Sequence, residues 1–208
     1  MNKSDRIERY DDSERINHWI VAITFVLLAL SGLALFHPSM FFLTNLFGGG
    51  PWTRILHPFI GLVMFVAFLG LAIRVWRANL LDEKDKLWLK QVEDVVNNRE
   101  DKLPEVGKYN AGQKLLFWVQ VACLTLLLVT GFVIWQPYFA PTFNITVIRL
   151  AVVLHAIAAF VLILGIIIHI YAGIWVKGSI RAMTRGYVTR AWARKHHAAW
   201  YKQVASDE

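Results

Sequence analysis

Hydrophobic residues along this chain fall into four long runs separated by polar segments. The runs cover residues 17–36, 55–76, 115–135 and 148–176. A helix that crosses a hydrocarbon core needs roughly 20 mostly apolar residues, at about 1.5 Å of rise per residue. The pattern therefore predicts an all-α membrane protein, with one domain over residues 1–208 in which four transmembrane helices form a bundle.

The polar segments predict the connections between these helices. Residues 37–54 end in a glycine triplet and a proline, which is typical of a turn leading into the second helix. Residues 84–96 carry apolar side chains at helical spacing, so we expect a short helix on the membrane surface. The first sixteen residues lack the apolar core and cleavage site of a signal peptide. The first helix is therefore expected to remain in the mature protein.

The charged residues lie almost entirely on one side of the predicted membrane. Of the 22 lysines and arginines, only Arg54 and Arg149 lie in or beside the first and third connections, and all 15 acidic residues lie on the opposite side. By the positive-inside rule, both termini and the second connection face the cytoplasm. Topology and contacts with lipid headgroups account for the net charge of +7, so we expect no nucleic-acid partner.

Four histidines lie in or at the ends of the apolar runs, at two depths. His155 and His169 are fourteen residues apart, which on a helix is about 1400° of rotation and about 21 Å of rise. They therefore share one face of the fourth helix at opposite depths. His57 begins the second helix on the outer side and His18 begins the first on the cytoplasmic side, so each end of the bundle holds two. A histidine at a helix end is often only interfacial, but ionisable side chains inside a membrane are usually functional.

Two imidazoles that face each other in a helical bundle can supply both axial ligands of a haem iron. Zinc would need three or four clustered ligands, and the sequence places no Cys, Asp or Glu at these depths. The single cysteine, Cys123, is expected to be a core residue, and the motif for covalent haem attachment is absent. The histidines thus predict two b-type haems. The alternative is a haem-free anchor whose histidines hydrogen-bond across helices.

Two glycines lie where a porphyrin edge would need room. Gly32 is fourteen residues after His18 and Gly70 is thirteen after His57, so each returns to the same helix face at the other depth. Ordinary close packing of membrane helices explains these glycines equally well. The remaining histidines lie outside the apolar runs and are expected to be loop or surface residues: His37, His196 and His197.

The stretch KYNAGQK at 108–114 precedes the third helix on the cytoplasmic side. It places the amides of Asn110 and Gln113 beside Gly112, whose backbone a ligand can approach closely. Amide side chains are suited to hydrogen-bonding the carbonyls of a quinone that accepts electrons from the inner haem. Asn and Gly before a helix are also ordinary capping residues. Both interpretations stay open on the sequence alone.

Ordered motifs along nearly the whole chain carry a family resemblance. The sequence resembles the cytochrome b (gamma) subunit of respiratory, membrane-bound formate dehydrogenases. The matching stretches are ERINHWI at 14–20, RILHPFIG at 54–61, GKYNAGQK at 107–114, VTGFVIWQPYFAP at 129–141, IHIYAGIWVKGSI at 168–180 and WARKHHAAWY at 192–201. One departure is Gln136, where the family pattern has arginine.

The resemblance implies four transmembrane helices and two b haems. It implies His57 and His155 as axial ligands of the outer haem, and His18 and His169 as those of the inner haem. It also implies a site for menaquinone or ubiquinone around the following residues near the inner haem: Asn110, Gly112 and Gln113.

The resemblance further implies the partners and the location. An iron-sulfur (beta) subunit would deliver electrons on the periplasmic face of a bacterial inner membrane, and a molybdenum or tungsten (alpha) subunit would oxidise formate. This chain would be an electron-transfer and quinone-reducing subunit of a redox loop in a respiratory chain, assembled as trimers of heterotrimers. The cytochrome b subunit of a hydrogenase or a thiosulfate reductase is the alternative, because the donor belongs to the partner.

Overall fold

The computed structural model describes residues 5–97, 99 and 103–206. Four of the helices are much longer than the rest, and short 3-10 helices follow two of them, at Pro38–Phe47 and Trp76–Asn79, while a third lies in a loop at Ala140–Thr142. The other elements, in chain order, are β1 (Arg6–Glu8), α1 (Asp12–Phe36), α2 (Gly50–Val75), α3 (Glu83–Lys90), α4 (Val92–Val96), α5 (Ala111–Ile134), α6 (Ile145–Trp175), α7 (Ser179–Arg185), β2 (Tyr187–Thr189), α8 (Arg190–His196) and α9 (Ala198–Ser206).

The long helices α1, α2, α5 and α6 are each long and apolar enough to cross a membrane. The predicted runs lie within them to within one residue, but every helix begins several residues earlier. The added first turn of α1 is polar, and its Asp12 and Glu14 favour the positive end of the helix dipole. Hydropathy locates an apolar run and does not register such polar turns.

Residues 16–73 and 119–168 form one compact unit, which we call the helical unit. All four long helices contribute to its core, whose buried side chains are Met64, Phe68, Cys123, Leu124 and Leu162. Cys123 is 9% exposed, as the core assignment predicted. The outward faces of these helices carry exposed side chains such as Val66 and Phe160. Such a surface suits a lipid environment.

The described parts of residues 1–15, 74–118 and 169–208 form a second compact unit, which we call the terminal unit. Strands β1 and β2 pair antiparallel in it, with Ile7 opposite Val188. Both side chains are buried in a small core, together with Ala182, Ala193 and Trp200. This ribbon joins the two ends of the chain and adds strand structure to the predicted all-α fold. Three-residue strands show too little alternation to be recognised in sequence.

The predicted surface helix at 84–96 forms as two helices, α3 and α4, interrupted at Gln91. Asp82 and Asp85 make a reciprocal capping box that starts α3. Trp88 is buried on one side, whereas Leu87 and Val96 are exposed. A buried ion pair of 2.7 Å between Lys114 Nζ and Asp85 Oδ2 then joins α3 to the first turn of α5. Only part of the apolar face is therefore left for a membrane surface.

His197 corrects an expectation, because it is not a surface residue. It is 4% exposed, within the terminal unit. Its position between α8 and α9 places it against Trp192 and Trp200. Burial and the nearby Arg9 guanidinium lower the pKa of His197 to about 3. A neutral imidazole at physiological pH follows from this environment.

Candidate functional site

The helical unit brings two of the predicted ligands together. His57 on α2 and His155 on α6 are both half-buried, with ring centroids 6.4 Å apart and ring planes inclined by 60°. An imidazole nitrogen ligates a metal at about 2 Å, so two rings on opposite sides of one iron have centres roughly 6 Å apart. The observed separation fits bis-histidine ligation of a haem iron.

A hydroxyl group holds each of these imidazoles at Nδ1. Ser31 Oγ lies 2.7 Å from His57 Nδ1, and Thr130 Oγ1 lies 2.9 Å from His155 Nδ1. Both hydroxyls donate their own proton to a carbonyl one turn earlier, that of Leu27 or Leu126. Each hydroxyl oxygen is therefore the acceptor, and each imidazole donates from Nδ1–H. The other nitrogen, Nε2, is then the unprotonated one that a metal requires.

A glycine follows each of these hydroxyl residues and leaves room beside the imidazole. A Cβ added at Gly32 would lie 3.5 Å from His57 Cε1, and one added at Gly131 would lie 3.6 Å from His155 Cε1. The two halves of the site thus repeat one arrangement, in which a hydroxyl residue and a glycine on one helix face a histidine on the next. This space supports the proposed porphyrin clearance at Gly32. At Gly70 an added Cβ would lie 3.4 Å from Asn17 Nδ2, a similar contact distance but to a residue other than a histidine.

The sequence analysis missed three members of this arrangement: Ser31, Thr130 and Gly131. The available signal was a hydroxyl residue directly before glycine in two apolar runs, in LSGL and VTGF. The described residues include no group of three or more His, Cys, Asp or Glu side chains that could hold a metal ion.

His18 and His169 lie on the long helices α1 and α6. The His18 ring meets Trp19 edge-on, with centroids 5.6 Å apart. Their pairing at an inner haem stays a prediction from the fourteen-residue spacing between His155 and His169 and from the position of His18 at the start of its apolar run.

Asn110 and Gln113 form a reciprocal cap at the start of α5. Gln113 N–H donates to Asn110 Oδ1 at 2.9 Å, and Asn110 N–H donates to Gln113 Oε1 at 3.0 Å. The cap uses the amide oxygens, so the NH₂ group of each side chain points away from these backbone partners. A quinone carbonyl accepts hydrogen bonds and would need such donors. The capping and quinone interpretations are therefore compatible.

Gly112 lies between these two amides and against an indole. A Cβ added there would lie 3.3 Å from Trp88 Cη2 and 3.5 Å from Asn110 Oδ1. A cavity of about 430 Å³ opens beside the turn, with Trp88, Tyr109, Ala111 and Lys114 among its lining residues. The cavity reaches this turn through Tyr109, Ala111 and Lys114, and its lining does not include Asn110, Gly112 or Gln113.

Four apolar helices with a hydroxyl-supported pair of histidines define a membrane cytochrome b. The profile of the prokaryotic cytochrome b561 family matches residues 9–186. The formate dehydrogenase cytochrome b556(fdo) subunit of Escherichia coli K12 is 50% identical over 204 residues, which are 98% of this chain and 96% of that protein. The nitrate-inducible cytochrome b556(Fdn) subunit of the same strain is 45% identical over 208 residues, 100% of this chain and 96% of that protein.

A third relative is the formate dehydrogenase cytochrome b556 subunit of Haemophilus influenzae, 42% identical over 203 residues, 98% of this chain and 85% of that protein. The chain therefore belongs to the prokaryotic cytochrome b561 family and, within it, to the formate dehydrogenase cytochrome b556 subunits. It is an integral membrane cytochrome of electron transport, and the family binds b-type haem.

Proposed function

We propose that this chain is the dihaem membrane subunit of a formate dehydrogenase and passes electrons to a quinone. The observation that carries the proposal is the arrangement of His57 and His155, whose rings are 6.4 Å apart. Both Nε2 atoms are unprotonated because both Nδ1–H groups donate to hydroxyls. The names of the three relatives support formate as the source of the electrons.

Each predicted ligand has a defined role in this proposal. His57 and His155 hold the outer haem, while His18 and His169 hold the inner haem. When bound, the two haems supply one-electron transfer between the periplasmic and cytoplasmic sides of the membrane. Ser31 and Thr130 fix the tautomer and orientation of the outer ligands through Nδ1.

The quinone site lies at the start of α5, around Asn110, Gly112 and Gln113. The amide NH₂ groups donate to the quinone carbonyls, and the glycine lets the ring approach the backbone. Menaquinone or ubiquinone is the acceptor, and the protons that complete its reduction come from the cytoplasm. The neighbouring cavity, lined by Tyr109, Ala111 and Lys114 among others, supports a ligand site at this turn.

The names of the relatives support an association with other formate dehydrogenase subunits. An iron-sulfur (beta) subunit supplies electrons on the periplasmic face, and a molybdenum or tungsten (alpha) subunit oxidises formate, in trimers of heterotrimers. The basic residues on the side of both termini support a cytoplasmic location for those termini, with the protein in a bacterial inner membrane. The same residues contact lipid headgroups.

The test is an absorption spectrum of the complex that copurifies with this chain from membranes. Formate should reduce it to give the α band of b-type haem, with two haems per chain by pyridine haemochrome assay. A chain without haem would establish the anchor alternative. Haems that hydrogen reduces and formate does not, with a nickel-iron hydrogenase copurifying, would overturn the assignment to formate dehydrogenase.

A further inference from the structure

Two buried residues from opposite ends of the chain meet in the terminal unit. Arg9 is 5% exposed and His197 is 4% exposed. Arg9 Nη2 lies 3.2 Å from His197 Nε2. A guanidinium only donates, so Nε2 accepts this bond and the proton of the imidazole is on Nδ1. The two side chains therefore form a directed hydrogen-bonded pair.

Both side chains also donate hydrogen bonds to the loop that leads into the proposed quinone site. Arg9 Nη2 also donates to the Lys108 carbonyl at 2.6 Å, and His197 Nδ1–H donates to the Gly107 carbonyl at 2.7 Å. The backbone N–H of Ala199 donates to the carbonyl of the preceding residue, Val106, at 3.1 Å. Three consecutive carbonyls are thus held by residues from the two ends of the chain.

Indole rings surround the guanidinium of this pair. Arg9 Cζ lies 4.9 Å from the centre of the Trp200 ring and 5.2 Å from that of Trp192. Cation–π contacts are stronger when water is excluded, as it is here. The aromatic rings and the two carbonyl-directed bonds fix the direction in which Arg9 and His197 point.

We propose that Arg9 and His197 are positioning residues for the quinone site, because they hold the carbonyls of residues 107 and 108 and so set the place of Asn110. The proposal rests on the proposed quinone site. Only Tyr109 separates the second held carbonyl from Asn110. A shift of the loop would therefore move both the α5 cap and the amide donors that face a quinone.

Arg9 and His197 differ in which of the sequence comparisons include them. Arg9 is the first residue matched by the cytochrome b561 profile, whereas His197 lies beyond its last residue, 186. The nitrate-inducible formate dehydrogenase relative matches the chain over all 208 residues. The proposed positioning role therefore depends on His197, which the alignment with the formate dehydrogenase relative includes and the cytochrome b561 profile does not.

The test uses the purified, haem-loaded full chain, reduced with dithionite and reoxidised by menadione in a stopped-flow instrument. His197→Ala should raise the half-saturating menadione concentration about tenfold, the effect of losing one strong hydrogen bond. Haem content and the maximum rate should change little. His197→Asn should restore most of the affinity, because its amide nitrogen occupies the place of Nδ1 and still donates to Gly107.

The matched control is Lys202→Ala, which removes another link between α9 and the same loop. Lys202 Nζ lies 2.5 Å from Glu105 Oε1, but the two side chains are 66% and 48% exposed. Exposed ion pairs contribute little, so this variant should behave as wild type. Equal menadione affinity in His197→Ala and Lys202→Ala would overturn the positioning role. Loss of haem from His197→Ala would also overturn it, by showing a general folding role.

Failure of the proposed function gives a different result. If menadione does not reoxidise the haems of the wild-type chain at any concentration, the quinone site itself is rejected. If the wild type is reoxidised and His197→Ala has the same half-saturating concentration, only the positioning role is rejected.

Discussion

The helical unit and the terminal unit hold their polar side chains in different ways. In the helical unit, one hydroxyl group serves each imidazole of the pair His57 and His155, as Thr130 serves His155 at 2.9 Å. In the terminal unit, Arg9 has several partners: a carbonyl, an imidazole and two indoles. One site therefore depends on single bonds and the other on a network.

The difference follows from the surroundings of each unit. Apolar side chains surround the imidazoles of the helical unit, and a hydrogen bond is stronger where the local dielectric constant is low. A single well-placed hydroxyl then suffices to select a tautomer. In the terminal unit, directed bonds from Arg9, His197 and Ala199 hold the loop of residues 106–108 beside the small core. Losing one bond should thus affect haem in the helical unit and quinone in the terminal unit.

The largest effect is expected from His169→Ala. It should remove the inner haem and nearly all quinone reduction, while formate still reduces the outer haem, because His57 and His155 are untouched. The measurement is haem per chain together with the rate of menadione reduction. His37→Ala, at an exposed position, should change neither. An unchanged haem content in His169→Ala would reject His169 as a ligand.

Thr130→Val tests whether a single hydroxyl group supports a haem ligand in the helical unit. It keeps the shape of the side chain and removes the acceptor for His155 Nδ1–H, so outer-haem affinity should fall about tenfold to a hundredfold. The measurement is the rate of haem transfer to apomyoglobin. Thr24→Val is the control, because Thr24 bonds only to carbonyls of its own helix among the hydrogen bonds of the described residues. Equal transfer rates in the two variants would show that the hydroxyl does not support the ligand.

Acid should destabilise the terminal unit through His197. Its folded pKa of about 3 lies below its ordinary value of 6.5, so the unfolded chain binds the proton more tightly. The stabilisation is complete above about pH 6.5 and is lost as the pH falls toward about 3. Between pH 7 and pH 5 the loss should be about 2 kcal/mol.

The measurement is the urea midpoint for proteolysis of the terminal unit at the two pH values. His197→Asn lacks the titrating imidazole and keeps every other titratable group. Its urea midpoint should therefore depend less on pH than that of the wild type. Identical dependences would mean that His197 is accessible to protons in the folded protein.

Asn110→Asp tests whether capping alone explains the start of α5. The carboxylate keeps the oxygen that accepts from Gln113 N–H but lacks the NH₂ donor. The half-saturating menadione concentration should rise about tenfold, with unchanged thermal stability. Asn144→Asp is the control, since Asn144 Oδ1 accepts from Val147 N–H at 3.0 Å in a cap at α6. An unchanged menadione affinity in Asn110→Asp would mean that Asn110 only caps α5.

The sequence predicts the parts of this protein that depend on length and spacing. Four apolar runs locate the four long helices, and the positions of His57 and His155 predict that they meet. The hydroxyl residue before glycine marks where the partners of those histidines lie, but it does not assign each partner to a histidine, because the helices are apolar on nearly every face. Without an amphipathic stripe, no pattern shows that Ser31 turns toward His57, twenty-six residues away.

The terminal unit was hidden for another reason. Its contacts join residues that are far apart in the chain, as Arg9 and His197 are separated by 188 positions. Local patterns suggest an acidic and basic tail at one end and a basic tract at the other. The three-residue pairing of β1 with β2 helps to bring these ends together, and pairing of such short strands leaves no periodic signal.

The central claim is that His57 and His155 hold one haem between them. The most direct measurement is the haem-to-chain ratio, with the redox titration of the purified complex, for wild type, His57→Ala and His155→Ala. The account predicts that both variants fall from two haems to one and lose the same component of the titration. Retention of two haems in either variant, or loss of different components in the two, would contradict it.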